Sequence, residues 1–84
     1  MMQNLRKEID KTDDEIVSLL VKRFNLTDRI GEIKKSRGIK TEDRAREEQI
    51  LTRLTAGLTK RDGETITALY AEIFKLSKAR QNEL

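Results

Sequence analysis

The sequence predicts an all-α protein of three helices, the first much longer than the other two. Apolar residues recur at three- and four-residue steps along most of the 84 positions. Proline is absent, so no ring interrupts a helix. The four glycines, Gly31, Gly38, Gly57 and Gly63, are few, and three of them mark turns. The alternation expected of strands is missing.

The first helix is predicted from about Leu5 to Lys35, on the spacing of Leu5, Ile9, Thr12, Ile16, Leu19, Leu20, Thr27 and Ile30. A second runs from about Asp43 to Ala56 on Ile50, Leu51 and Leu54, with Leu58 continuing the pattern. A third runs from about Glu64 to Gln81 on Ile66, Leu69, Tyr70, Ile73 and Leu76. The joins, Ser36–Glu42 and Gly57–Gly63, are short enough for helix–helix connections. Each helix is amphipathic and needs a partner surface. Gly31 falls inside the first helix, where glycine costs about 1 kcal/mol against alanine. Close approach by a ligand or a neighbouring helix accounts for it, as does a local weakness.

Eighty-four residues make one domain, spanning 1–84, with a marginal core. Small domains are reinforced by disulfides, metals or oligomerisation. Cysteine and histidine are both absent, which removes the first remedy and the common zinc frameworks. Oligomerisation is left. The same absence excludes Cys nucleophiles, Ser–His pairs and imidazole bases, so any catalysis must rest on carboxylates, amines, guanidinium groups and amides. Adjacent carboxylates such as Asp13-Asp14 and Glu47-Glu48 diverge by ~100° on a helix and make a weak metal signal; no metal or cofactor is expected. No run approaches the ~20 apolar residues of a membrane span or a signal-peptide core, which makes the cytoplasm the expected compartment. The net charge of +3 favours an anionic partner only mildly.

Several polar residues stand inside the apolar stripes. With Ile16 as the centre of the first stripe, Arg23 falls within roughly 20° of it and Lys34 almost on it. In the second helix Glu47 is mid-stripe, with Asp43 one turn earlier. In the third, Ser77 lies within the stripe and Gln81 at its edge. Arg80, near that centre but close to the end of the sequence, is read as a surface cation on a fraying turn. Long cationic stems often lie over apolar surface with the head in water, and Glu47 has Arg23 and Lys34 as candidate ion-pair partners. The whole set, drawn from three helices and aimed inward, describes a polar cavity for an anionic ligand.

A straight helix from Leu5 to Lys35 is about 45 Å long, whereas a compact domain of this size has a radius of gyration near 12 Å. The first helix must overhang its own globule, and a second copy packed antiparallel would cover it. Arg6 stands some 25 Å along the axis from Arg23, so it enters a site containing Arg23 only from the other subunit.

These residues resemble the all-helical chorismate mutase family. Leu5-Arg6-Lys7-Glu8-Ile9-Asp10, Asp13, Leu19-Leu20 and Lys22-Arg23 are similar to that family's opening, as is Ile30-Gly31 followed by Lys34. Asp43-Arg44-Ala45-Arg46-Glu47 resembles its Asp-x-x-Arg-Glu motif, and Ser77 and Gln81 stand four apart as the family's pair does. The chain departs from the family at Thr41, where relatives often carry valine or another apolar residue, and in having no proline in the Ser36–Glu42 loop.

The resemblance implies an intertwined homodimeric helical bundle with two equivalent sites, converting chorismate to prephenate for phenylalanine and tyrosine synthesis. It implies that Arg23 and Arg6 of the partner subunit bind the two substrate carboxylates. Lys34 and Gln81 donate to the ether oxygen, and Glu47, supported by Asp43, holds the ring hydroxyl. Arg46 and Ser77 complete the polar wall, with Ile30 and Phe74 as apolar lining. One competing reading is a lyase of the same fold that releases pyruvate from isochorismate, separable by scoring salicylate against prephenate. Another is a non-catalytic helical regulatory or binding module. Nucleic acid is not an expected partner, because acidic residues are interspersed and no basic stripe carries stacking aromatics.

Overall fold

The structure is a computed structural model describing residues 1–84. It contains α1 (Met2–Ser36), α2 (Arg44–Thr55) and α3 (Lys60–Asn82), and no strand. None of the helices is long and apolar enough to cross a membrane.

The helix ends follow local chemistry. α1 stops where Gly38 takes φ +67°, and the Gly38 and Ile39 amides bond back to the Lys35 and Lys34 carbonyls. Lys34 and Lys35 place positive charge in that last turn, opposite the negative end of the helix dipole. α2 is capped by Asp43, whose Oδ1 accepts from the Arg46 amide at 3.0 Å. Gly57, at φ +79°, turns the chain after α2.

The start of α3 corrects the sequence reading. Thr59 Oγ1 accepts from the Asp62 amide at 3.1 Å, and the helix begins at Lys60 rather than at Glu64. Gly63 therefore sits in the first turn of α3 and not in a connecting turn. Thr59 supplies the cap, and Asp62 puts a carboxylate where the helix dipole favours one.

α3 is the central element. Its end runs beside the last third of α1 in the same direction: Arg23 lies over Tyr70 and Phe74, and Thr27 and Gly31 meet Gln81. α2 returns antiparallel along another face of α3, and α1 and α2 do not pack on each other. The α1 residues that this packing covers are Leu20, Arg23, Phe24, Thr27, Asp28, Gly31 and Lys34, a three-and-four spacing confined to one end of the helix. Every residue of α1 before Leu20 is exposed, including Leu5, Ile9, Ile16, Val17 and Leu19.

The core is accordingly thin. Its buried apolar side chains are Ile50, Ile73 and Phe74. The molecule measures 54 × 26 × 15 Å with a radius of gyration of 15.6 Å, well above the roughly 12 Å of a compact chain of this length. Its accessible surface is 7130 Å², against about 5,200 Å² for a compact monomer of the same mass. The first helix does overhang its globule.

Candidate active site

Three helices converge on one half-open cavity of about 150 Å³. α1 contributes Arg23, Thr27, Ile30 and Lys34, whose spacing of four, three and four residues keeps them on one face. α2 contributes Arg46, Glu47 and Ile50, and its cap Asp43 closes that wall. α3 contributes Phe74, Ser77, Lys78 and Gln81, and Thr41 reaches in from the loop. Nine residues singled out from the sequence thus line a single space: Arg23, Ile30, Lys34, Asp43, Arg46, Glu47, Phe74, Ser77 and Gln81. Arg6 does not, since it lies on the exposed, unaccompanied part of α1, about 25 Å along the axis from Arg23.

The cationic side chains of the lining, Arg23, Lys34, Arg46 and Lys78, outnumber its carboxylates, Asp43 and Glu47. Arg23 is half-buried with its guanidinium 5.4 Å from the Tyr70 ring centre and 5.7 Å from that of Phe74. Those rings meet edge-to-face at 5.6 Å and support the guanidinium plane. Arg23 Nη1 is buried and bonds to nothing in the chain, and the same is true of Ser77 Oγ. Buried polar atoms without partners are rare, and two in one cavity mark where a ligand's oxygens would be held.

The other donors have partners. Lys34 Nζ donates to the Thr41 carbonyl at 3.1 Å, and Gln81 Nε2 donates to the Thr27 carbonyl at 2.6 Å. An ammonium carries three hydrogens and a primary amide two, so each keeps a donor for a ligand. Thr41 Oγ1 donates to Asn82 Oδ1 at 3.3 Å, which ties the proline-free loop to the end of α3 through the polar residue that replaces an apolar one.

Two sequence readings need correction. Glu47 pairs with neither Arg23 nor Lys34; its Oε2 lies 3.2 Å from Lys78 Nζ. The stripe centred on Ile73 and Ser77 does not single out Lys78. Its signal was a second stripe on α3, Thr67, Ala71, Phe74 and Lys78, which faces α2 and shares a groove with Glu47 and Leu51. Lys78 also pairs with Glu42 at 3.3 Å. Burial opposes the charge on Lys78, but hydrogen bonds to Glu47 and Glu42 outweigh it and raise the pKa of the ammonium. Hydrogen bonding and charge from Lys78, then from Arg44, lower that of Glu42.

The second correction is Arg80, which is no loose surface cation. Its Nε and Nη2 grip Asp28 at 3.1 and 2.7 Å, and its guanidinium lies 5.1 Å from the Phe24 ring centre. This fork fastens the end of α3 to α1 beside the cavity rather than inside it.

Comparison with known proteins bears on this arrangement. The family model described as chorismate mutase type II matches residues 5–82. A bifunctional chorismate mutase/prephenate dehydratase of Aquifex aeolicus (strain VF5) is 42% identical over 53 residues, or 63% of this chain. The matched stretch amounts to 15% of that relative's length.

Proposed function

The chain belongs to the chorismate mutase type II family, and on that premise we propose that it is a cytoplasmic homodimer that rearranges chorismate to prephenate for phenylalanine and tyrosine synthesis. The observation that carries this is the pair of buried, unpartnered donors, Arg23 Nη1 and Ser77 Oγ, in a cavity where cations outnumber carboxylates. A dicarboxylate is the kind of ligand that such a lining selects.

The reaction is a unimolecular Claisen rearrangement, in which a carbon–oxygen bond breaks as a carbon–carbon bond forms. It needs no nucleophile, proton transfer or redox partner. What it needs is a compact conformer and donors at the oxygen that gains charge. Arg23 binds one carboxylate, and Arg6 of the partner subunit binds the other. Lys34 and Gln81 release or share their carbonyl partners to donate to the ether oxygen. Glu47 accepts from the ring hydroxyl, and Asp43 supports it from the cap of α2. Arg46 and Ser77 complete the polar wall, while Ile30 and Phe74 bound the ring.

The uncovered surface of α1 supports a second chain. The excess over a compact monomer is about 1,900 Å², on the scale that obligate dimers bury. An antiparallel partner along the exposed half of α1 would cover Leu5, Ile9 and Ile16 and carry Arg6 toward the other site.

The test is to incubate the purified chain with chorismate, following substrate loss and prephenate, and to measure its mass in solution. Prephenate from a species of dimer mass is expected. Absence of turnover, or salicylate from isochorismate in its place, overturns the reading.

A further inference from the structure

Glu47 is surrounded by cations. Arg23, Lys34 and Arg46 line the same cavity, and a carboxylate there would be drawn to any of them. It pairs instead with Lys78, whose ammonium also joins Glu42, the residue before the cap of α2. The Glu47 and Lys78 side chains are 25% and 27% exposed, so this contact is shielded more than a surface pair would be.

We infer that Lys78 is a positioning residue for the reaction: its ammonium, bridging Glu47 and Glu42, holds the Glu47 carboxylate away from the cations that must bind substrate. This rests on the mutase reading. The arrangement has two effects. Glu47 stays where it can accept from a ring hydroxyl, and Arg23 and Lys34 are left without a carboxylate partner of their own. The ammonium donates to Glu42 and lies 3.2 Å from Glu47 Oε2, so its charge is committed to the two carboxylates and Lys78 acts through Glu47. The Glu42 arm anchors the loop that carries Thr41, on whose carbonyl Lys34 rests. Without Lys78 the free carboxylate would close on Lys34 or Arg23 and compete with substrate.

The experiment is a double-mutant cycle on the purified chain. Lys78→Met is expected to lower kcat/KM about tenfold, mostly through KM, and Lys78→Arg to recover most of the loss. In a Glu47→Gln background, Lys78→Met is expected to change kcat/KM less than about twofold, because position 47 no longer carries a charge to be held and only the Glu42 arm is lost. Equal losses in both backgrounds overturn the inference while leaving the mutase reading intact. Absence of wild-type turnover overturns that reading and the inference with it. A second readout needs no turnover: the titration of the Glu42 carboxyl carbon by NMR. Lys78→Met is expected to move its midpoint upward, with Arg44 holding part of the original depression. An unmoved midpoint shows that Lys78 does not bridge the two carboxylates in solution, and overturns the inference. Lys78→Gln, which keeps much of the stem and removes the charge, serves both readouts if Lys78→Met fails to fold.

Discussion

Gln81 crosses α1 at Gly31 so closely that a Cβ at Gly31 would fall 2.6 Å from Gln81 Cγ and 3.0 Å from Gln81 Cβ. The glycine inside a long helix is thus explained by close approach of a neighbouring helix, and that neighbour carries a site residue. Gly31→Ala gains helix propensity of about 1 kcal/mol but forces Gln81 aside, an overpacking cost of about 1–3 kcal/mol. The expected outcome is unchanged helicity by circular dichroism, a small loss of stability, and a fall in kcat of at least about tenfold as Gln81 leaves its place.

On the mutase reading proposed above, Lys34→Ala removes a donor to the oxygen that gains charge. Loss of one such preorganised donor costs about 10²–10³ in rate. Chorismate turnover under saturating conditions is expected to fall by that factor, while thermal unfolding changes little. Turnover close to wild type would remove Lys34 from the mechanism.

Arg6 offers a test that depends on two chains. If each site takes Arg23 from one subunit and Arg6 from the other, Arg6→Ala and Arg23→Ala homodimers are both nearly inactive. Mixing them after unfolding makes about half the dimers heterodimeric, each with one intact and one doubly altered site. Recovery of about a quarter of wild-type activity is the expected outcome. A mixture as inactive as its components would mean that Arg6 does not cross between subunits.

The fork between Arg80 and Asp28 is a fastening, not a part of the cavity. Asp28→Asn removes a charge-assisted pair that joins the end of α3 to α1. A lower Tm is expected, with kcat/KM within about twofold of wild type.

The Lys78–Glu42 contact has a definite pH window. Glu42 is depressed below its ordinary value, so its share of stability is present above the unfolded carboxyl pKa and is lost as pH falls through the folded one. Lys78 is raised above its ordinary value, so its share is present below the unfolded amine pKa and is lost as pH rises through the folded one. The stability difference between wild type and Lys78→Met is therefore expected to be flat from about pH 5 to pH 10 and to shrink outside those limits. Denaturant midpoints across that range check it, and added salt should reduce the plateau.

How much of this was legible in the sequence depended on whether the information was local. The extent of α1 was, because an unbroken apolar period without proline leaves little else to form. Arg23 and Lys34 stood out because α1 has one packing face and both lie on it. α3 has two faces, and taking a single stripe centre captured Ser77 and Gln81 while passing over Lys78. The start of α3 carried a signal, Thr59 three residues before Asp62, that the glycine at position 63 obscured. The partner of Arg80 lies 52 residues away, and no local pattern reports such a pairing.

Because α1 and α2 share no packing of their own, each is held only through α3 and one lysine–carbonyl bond to the loop. A dianion gripped by Arg23 and Lys34 on one side, and meeting Arg46 and Glu47 on the other, would act as a keystone between two jaws. Occupancy and unfolding are then linked, so that ligand at a hundredfold excess over its Kd stabilises the chain by about 2.7 kcal/mol. Most of that gain should appear as slower hydrogen exchange in α2, which packs against α3 alone.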